Sequence, residues 1–177
     1  MKIKKLLTGL LLLCFAFNSY AENKSNFRVP YGAFGISFGS EKPGLNIIDE
    51  KMTYTGKRIY EIKPPRPMRD MLQNYYALIT PYTGKVYSIW AESTFGEKYK
   101  SKCEDRKNKL MTLLEKEYNQ KFKDFKDPDY PNYKTNVKYM SVNDTDITIS
   151  CMDNGEILSL RYINAEFNAY ARAENRH

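Results

Sequence analysis

Apolar and polar positions alternate with a period of two in several stretches of this chain. One long stretch repeats every three to four residues instead. In Tyr31–Gly39, Phe34, Ile36 and Phe38 fall on one side and Gly35, Ser37 and Gly39 on the other, which predicts a short strand with one small face. Weaker β-type runs occupy Leu45–Ile48 and Arg58–Ile62. Tyr75–Thr80 and Lys85–Ala91 are rich in β-branched and aromatic residues, and Pro81-Tyr-Thr-Gly84 stands between them. That order predicts a hairpin with Pro81 and Gly84 setting the turn. Three further strands are predicted at Lys138–Val142, Thr145–Met152 and Glu156–Ile163, with turns at Asn143-Asp144 and Asp153-Asn154-Gly155. In the middle strand Ile147, Ile149 and Cys151 point the same way.

The helical period lies in Ser101–Phe122. Cys103, Leu110, Leu114, Tyr118 and Phe122 form one stripe, widened by Met111 and Leu113. Ser101 with Glu104 matches a capping box, and Glu104 and Asp105 suit the positive end of the helix dipole. Ala165–Arg176 reads as a short closing helix. Lys63-Pro-Pro-Arg-Pro67 lacks the donors of a central strand, so it is a stiff connector in preference to a polyproline ligand. Asp124–Tyr133, with Pro128 and Pro131, reads as a loop. The expected fold is α+β: an antiparallel sheet with one long helix packed on one face and a short C-terminal helix.

Residues 1–21 stand apart. Lys2, Lys4 and Lys5 precede the apolar run Leu6–Phe17, and Ser19 and Ala21 are the small residues of a cleavage site. This is the pattern of a signal peptide, too short for an ordinary spanning helix. Cleavage near Ala21 leaves 22–177 as a single α+β domain with a loose N-terminal arm, in the periplasm or outside the cell. No transmembrane span is expected after signal removal. The segment takes three lysines from a chain of net charge +7, leaving 156 residues at +4. No basic stripe is visible, so no nucleic-acid partner is expected. Leu13 precedes Cys14, where a lipid-anchored cysteine needs a small residue, so Cys14 is signal filler. The two remaining cysteines form an even pair in an oxidising compartment, and a Cys103–Cys151 disulfide is expected to tie helix stripe to strand face.

The only histidine is His177, the last residue, where nothing would hold it as a base. Histidine-dependent triads and histidine zinc sites are thereby removed. Asp124, Asp127 and Asp129 lack the glycine and closing glutamate of a calcium loop. Glu92 and Glu97 have no sequence reason to face one another as glycosidase carboxylates. Gly35, Gly39 and Gly44 lack phosphate-loop spacing. No catalytic residue, metal or cofactor is expected, and the chain reads as a non-enzyme. The unusual feature is fifteen tyrosines, of which several cluster with the sole tryptophan in the predicted hairpin. Tyrosine and tryptophan favour interfaces. Tyr75, Tyr82, Tyr87 and Trp90 are therefore the candidate partner-binding residues, against the alternative of strand propensity and partial burial.

Phe34-Gly-Ile-Ser-Phe-Gly39, the segment Ile79-Thr-Pro-Tyr-Thr-Gly-Lys-Val-Tyr-Ser-Ile89 and the two cysteines give the chain a resemblance to a group of small exported bacterial proteins of unassigned activity. The resemblance spans most of residues 22–177 and implies a fold without transferring a catalytic residue. The expected function is an exported, non-enzymatic binding protein with a protein partner, most concretely of an immunity or inhibitor type. The alternative is an envelope-associated accessory or structural protein that binds cell-wall or lipopolysaccharide components. A hydrolase using carboxylates or a lysine base ranks third.

Overall fold

A computed structural model of the chain describes residues 31–53, 57–96, 100–126 and 136–175. The segment read as a signal peptide, its expected cleavage near Ala21, the expected arm, Glu97, Asp127, Asp129 and His177 lie outside those residues. The elements are β1 (Gly32–Ala33), β2 (Ile36–Ser37), β3 (Ile47–Met52), β4 (Arg58–Ile62), β5 (Asn74–Ile79), β6 (Val86–Thr94), α1 (Lys100–Tyr118), β7 (Lys123–Asp124), β8 (Lys138–Val142), β9 (Thr145–Met152), β10 (Ile157–Asn164) and α2 (Ala165–Glu174). β3 to β10 form one antiparallel sheet in the order β3-β4-β5-β6-β10-β9-β8-β7. Fold class, hairpin and the three late strands agree with the sequence reading.

α1 packs on one face of the sheet. Its Cys103, Leu110 and Leu114 are buried with Ile147, Ile149 and Cys151 of β9 and Leu158, Leu160 and Tyr162 of β10. Period-two strands and a three-to-four-residue helical stripe meet there, which is what buries the apolar side of both. The Cys103–Cys151 disulfide forms inside this layer, with a Cα–Cα distance of 6.0 Å. The alternate residues of β5 and β6 face the other way, where α2 sets Phe167 and Ala171 against Leu78, Tyr87, Ile59 and Trp90. Asn164 caps α2 by accepting from the Phe167 amide at 3.0 Å. Gly39 has φ +75°, and a Cβ there would meet the Phe167 ring at 2.6 Å, so only glycine lets that segment reach the start of β6.

Several expectations change in detail. Tyr31–Gly39 is a two-residue hairpin, not one strand: Phe34 and Gly35 sit at φ +54° and +82° and turn the chain between β1 and β2. The turn aims Phe34 into the core, edge-on to Tyr75 and Tyr162 at 5.0 and 5.8 Å. α1 ends at Tyr118, four residues early, because Asn119 takes the left-handed conformation at φ +51°. Ser101 is the second residue of α1 and not its cap, and Glu104 binds Lys107 at 2.6 Å instead. Leu113 does not widen the stripe but lies 48 % exposed. β3 begins two residues later than its apolar run and continues through Asp49-Glu50-Lys51. Lys63–Pro67 is the connector from β4 towards β5, pinned where the Arg66 amide donates to the Phe34 carbonyl at 3.0 Å.

The disulfide closes a loop with a sequence separation of 48 residues. Its constraint on the unfolded chain is worth about 4 kcal/mol in the loop-entropy model. Cys103→Ser, or reduction, is expected to lower Tm by many degrees in calorimetry. An unchanged Tm would show that the bond carries no stability.

Candidate functional site

The strands that bury α1 present their alternate residues on the opposite face of the sheet, and α2 covers only part of that face. Register aligns the uncovered residues. Glu61 of β4 lies opposite Tyr76 of β5, Tyr76 opposite Trp90 of β6, and Trp90 opposite Arg161 of β10. Arg161 then faces Thr148 of β9, and Thr148 faces Tyr139 of β8. Six adjacent strands thus carry one row, which at the usual strand spacing spans about 24 Å. A second row, Asn74, Glu92, Ser159 and Ser150, runs beside it.

Contacts inside the first row are specific. Tyr76 and Trp90 stack with centroids 5.0 Å apart and planes inclined by 25°. The Arg161 guanidinium lies 5.4 Å from the centre of the Trp90 ring. Trp90 is thus held between a tyrosine and a cation, and its indole Nε1–H donates to Glu92 Oε1 at 3.1 Å. Arg161 Nε donates to Ser88 Oγ at 3.0 Å. Among the described residues Arg161 has no carboxylate partner, although burial pushes its pKa below the ordinary value. Glu92 also lacks a cationic partner among them. Burial raises its carboxyl above the usual range, the Trp90 bond opposes this, and Asp153 adds a little. Lys51 and Glu61 at the far end of the row are paired at 3.0 Å.

The four candidate residues from the hairpin do not form one surface. Tyr75 points into the α1 layer and is 4 % exposed, with its hydroxyl donating to the Leu72 carbonyl at 3.2 Å. Tyr87 is buried beneath α2. Each fills a core that the hairpin itself closes. Tyr82 stands at the turn, 71 % exposed, and Trp90 lies half-buried in the open row. The reason Tyr87 and Trp90 share a face, despite an odd separation, is a bulge. Leu78 pairs Ser88 and Ile79 pairs Val86, so Tyr87 is the extra residue.

Tyr76 and Arg161 were not among the partner-binding candidates, and Glu92 was weighed only as a glycosidase carboxylate. The alternation of β10 offered a signal for Arg161: it stands between the buried Leu160 and Tyr162. Among the described residues no group of three or more His, Cys, Asp or Glu side chains is placed to hold a metal ion. No described helix is long and apolar enough to cross a membrane. No family model, curated protein or solved structure matches the chain.

Glu92 gives a pH prediction. A carboxyl whose folded pKa is raised favours folding while protonated and penalises it once ionised. Stability therefore falls as pH rises from the ordinary carboxylate value through the folded one. Glu92→Gln keeps an acceptor for Trp90 and removes the charge. Its Tm is expected to exceed that of the wild type at pH 7, with the gain closing below about pH 4. A variant that is less stable at pH 7 would show that the charge is compensated.

Proposed function

We propose that the chain is an exported, non-enzymatic binding protein that docks another protein on the open face of the sheet. An immunity or inhibitor type is its most concrete form. The observation that carries the reading is Arg161: a half-buried guanidinium over the Trp90 ring, near the centre of the row, with no carboxylate partner among the described residues. Tryptophan, tyrosine and arginine are the residue types that dominate interface energies. A row about 24 Å wide suits the patch of a standard protein interface, roughly 800 Å² per partner, better than a small ligand. The partner's chemistry follows from the charges. It presents a carboxylate to Arg161 and a donor to Glu92, with apolar atoms over Trp90 and Tyr76. Export is supported by Lys2, Lys4 and Lys5 ahead of Leu6–Phe17, and a disulfide suits an oxidising compartment.

Tagged, oxidised protein lacking residues 1–21, incubated with extract of its host, is expected to retain one partner at stoichiometric level. Trp90→Ala and Arg161→Ala are each expected to weaken that complex by about 2 kcal/mol or more, roughly thirtyfold, without loss of the folded state by circular dichroism. Full binding by Arg161→Ala would remove the open face as the site. Failure of the wild type to hold any protein would remove the function.

A further inference from the structure

A second surface lies at the end of the sheet that carries the turns β3–β4 and β5–β6. A cavity of about 380 Å³ opens there, lined by Lys42, Lys57, Arg58, Leu78, Tyr82 and Tyr87, among others. Its two sides differ in chemistry. Leu78 and Tyr87, both nearly buried, form an apolar floor, and Tyr82 stands free at the mouth. The turn bearing Tyr82 is fixed by α2: Glu174 accepts from the Tyr82 amide at 2.7 Å and from Thr83 Oγ1 at 2.6 Å. The opposite rim is cationic. Lys42 Nζ lies 3.2 Å from both Tyr60 Oη and Glu50 Oε2, and 4.4 Å over the Tyr60 ring. Arg58 reaches the other oxygen of the same Glu50 at 3.3 Å. Lys57 is exposed, and among the described residues its ammonium has no acceptor. Glu50 thus pairs with two of the three cations, and Glu174 at the turn keeps its charge, so the rim holds a surplus of at least one positive charge.

We propose that this cavity binds an organic phosphate, with its anionic head between Lys57, Arg58 and Lys42 and its apolar body on Leu78 and Tyr87 beneath Tyr82. A surplus of positive charge and several N–H donors match an anionic phosphate group. A cavity of this size takes such a head and a few carbons, within the range of small-ligand pockets and well short of a whole lipid. The head belongs either to a lipid whose tails stay outside or to a soluble phosphate ester. Its floor residue Tyr87 packs in the cluster that Trp90 also touches, but Lys42, Lys57 and Arg58 lie outside the row of Trp90 and Arg161, and the proposal stands whether or not the open face binds a protein.

Calorimetric titration of the oxidised protein with octyl phosphate tests the site, with inorganic phosphate and octyltrimethylammonium as comparisons. Octyl phosphate is expected to saturate one site, about tenfold or more tighter than inorganic phosphate, and the cationic analogue is expected not to bind. Lys57→Glu should weaken octyl phosphate about tenfold with Tm unchanged, since that side chain is exposed and has no polar partner among the described residues. Tyr82→Ala should weaken octyl phosphate more than inorganic phosphate. Undiminished binding by Lys57→Glu, or equal binding of the cationic analogue, would overturn the proposal. Sedimentation with phosphatidic acid vesicles then separates the sources. Co-sedimentation lost in Lys57→Glu assigns a lipid headgroup, and saturable octyl phosphate binding without co-sedimentation assigns a soluble ester.

Discussion

The Cys103–Cys151 bond joins the one stripe of α1 that must be dry to the one face of β9 that must be dry. A sheet of eight antiparallel strands has two faces and α1 covers one of them. Once that face is fixed, the register of every neighbouring strand is fixed too, because a slip of one residue would exchange core and surface along its whole length. The disulfide therefore acts beyond its own loop. It holds Ile147 and Ile149 inward, which sends Thr148 and Ser150 outward, and the pairing with β10 and β6 then places Arg161 and Trp90 beside them.

α2 and the Tyr87 bulge shape what remains of the outer face. The bulge brings Tyr87 onto the side where Leu78 already lies, and this small apolar patch is what α2 needs to dock. Glu174 at the end of α2 then grips the β5–β6 turn through the Tyr82 amide and the Thr83 hydroxyl. A short helix that would be marginal alone is so held at both ends, by the Asn164 cap and by the turn. Its placement divides the outer face into an open row around Trp90 and a cavity beside Tyr82.

The sequence made the hairpin, the late strands, both helices and the disulfide partners legible, because each carries a clean period or a turn signal. It hid features where local pattern and tertiary role part. Phe34-Gly35 reads as alternation and is a turn, since a buried aromatic at positive φ is rare enough that no pattern predicts it. Asp49-Glu50-Lys51 lies beyond the apolar run Leu45–Ile48 and is an edge strand, where charge is the normal guard against further pairing. The tyrosines of the hairpin looked like one surface, but alternation separates Tyr75 from Tyr76, and the bulge places Tyr87 under α2. Arg161 carried its signal in the strand pattern, yet nothing local says that no carboxylate among the described residues pairs with it.

That isolation is the strongest physical argument about the outer face. A half-buried guanidinium and a half-buried carboxylate, neither with an ionic partner among the described residues, each cost stability that a well-packed apolar pair would not. Arg161 and Glu92 flank the same indole, two positions apart in register, at a diagonal separation of roughly 7–8 Å between strands. They have opposite charges and no ion pair with each other, while Lys51 and Glu61 in the neighbouring strands do pair. Stability alone gives no reason to keep both unpaired beside Trp90. A ligand surface that brings a carboxylate to one and a donor to the other recovers both costs on binding, and affinity then draws on charges the fold has already desolvated.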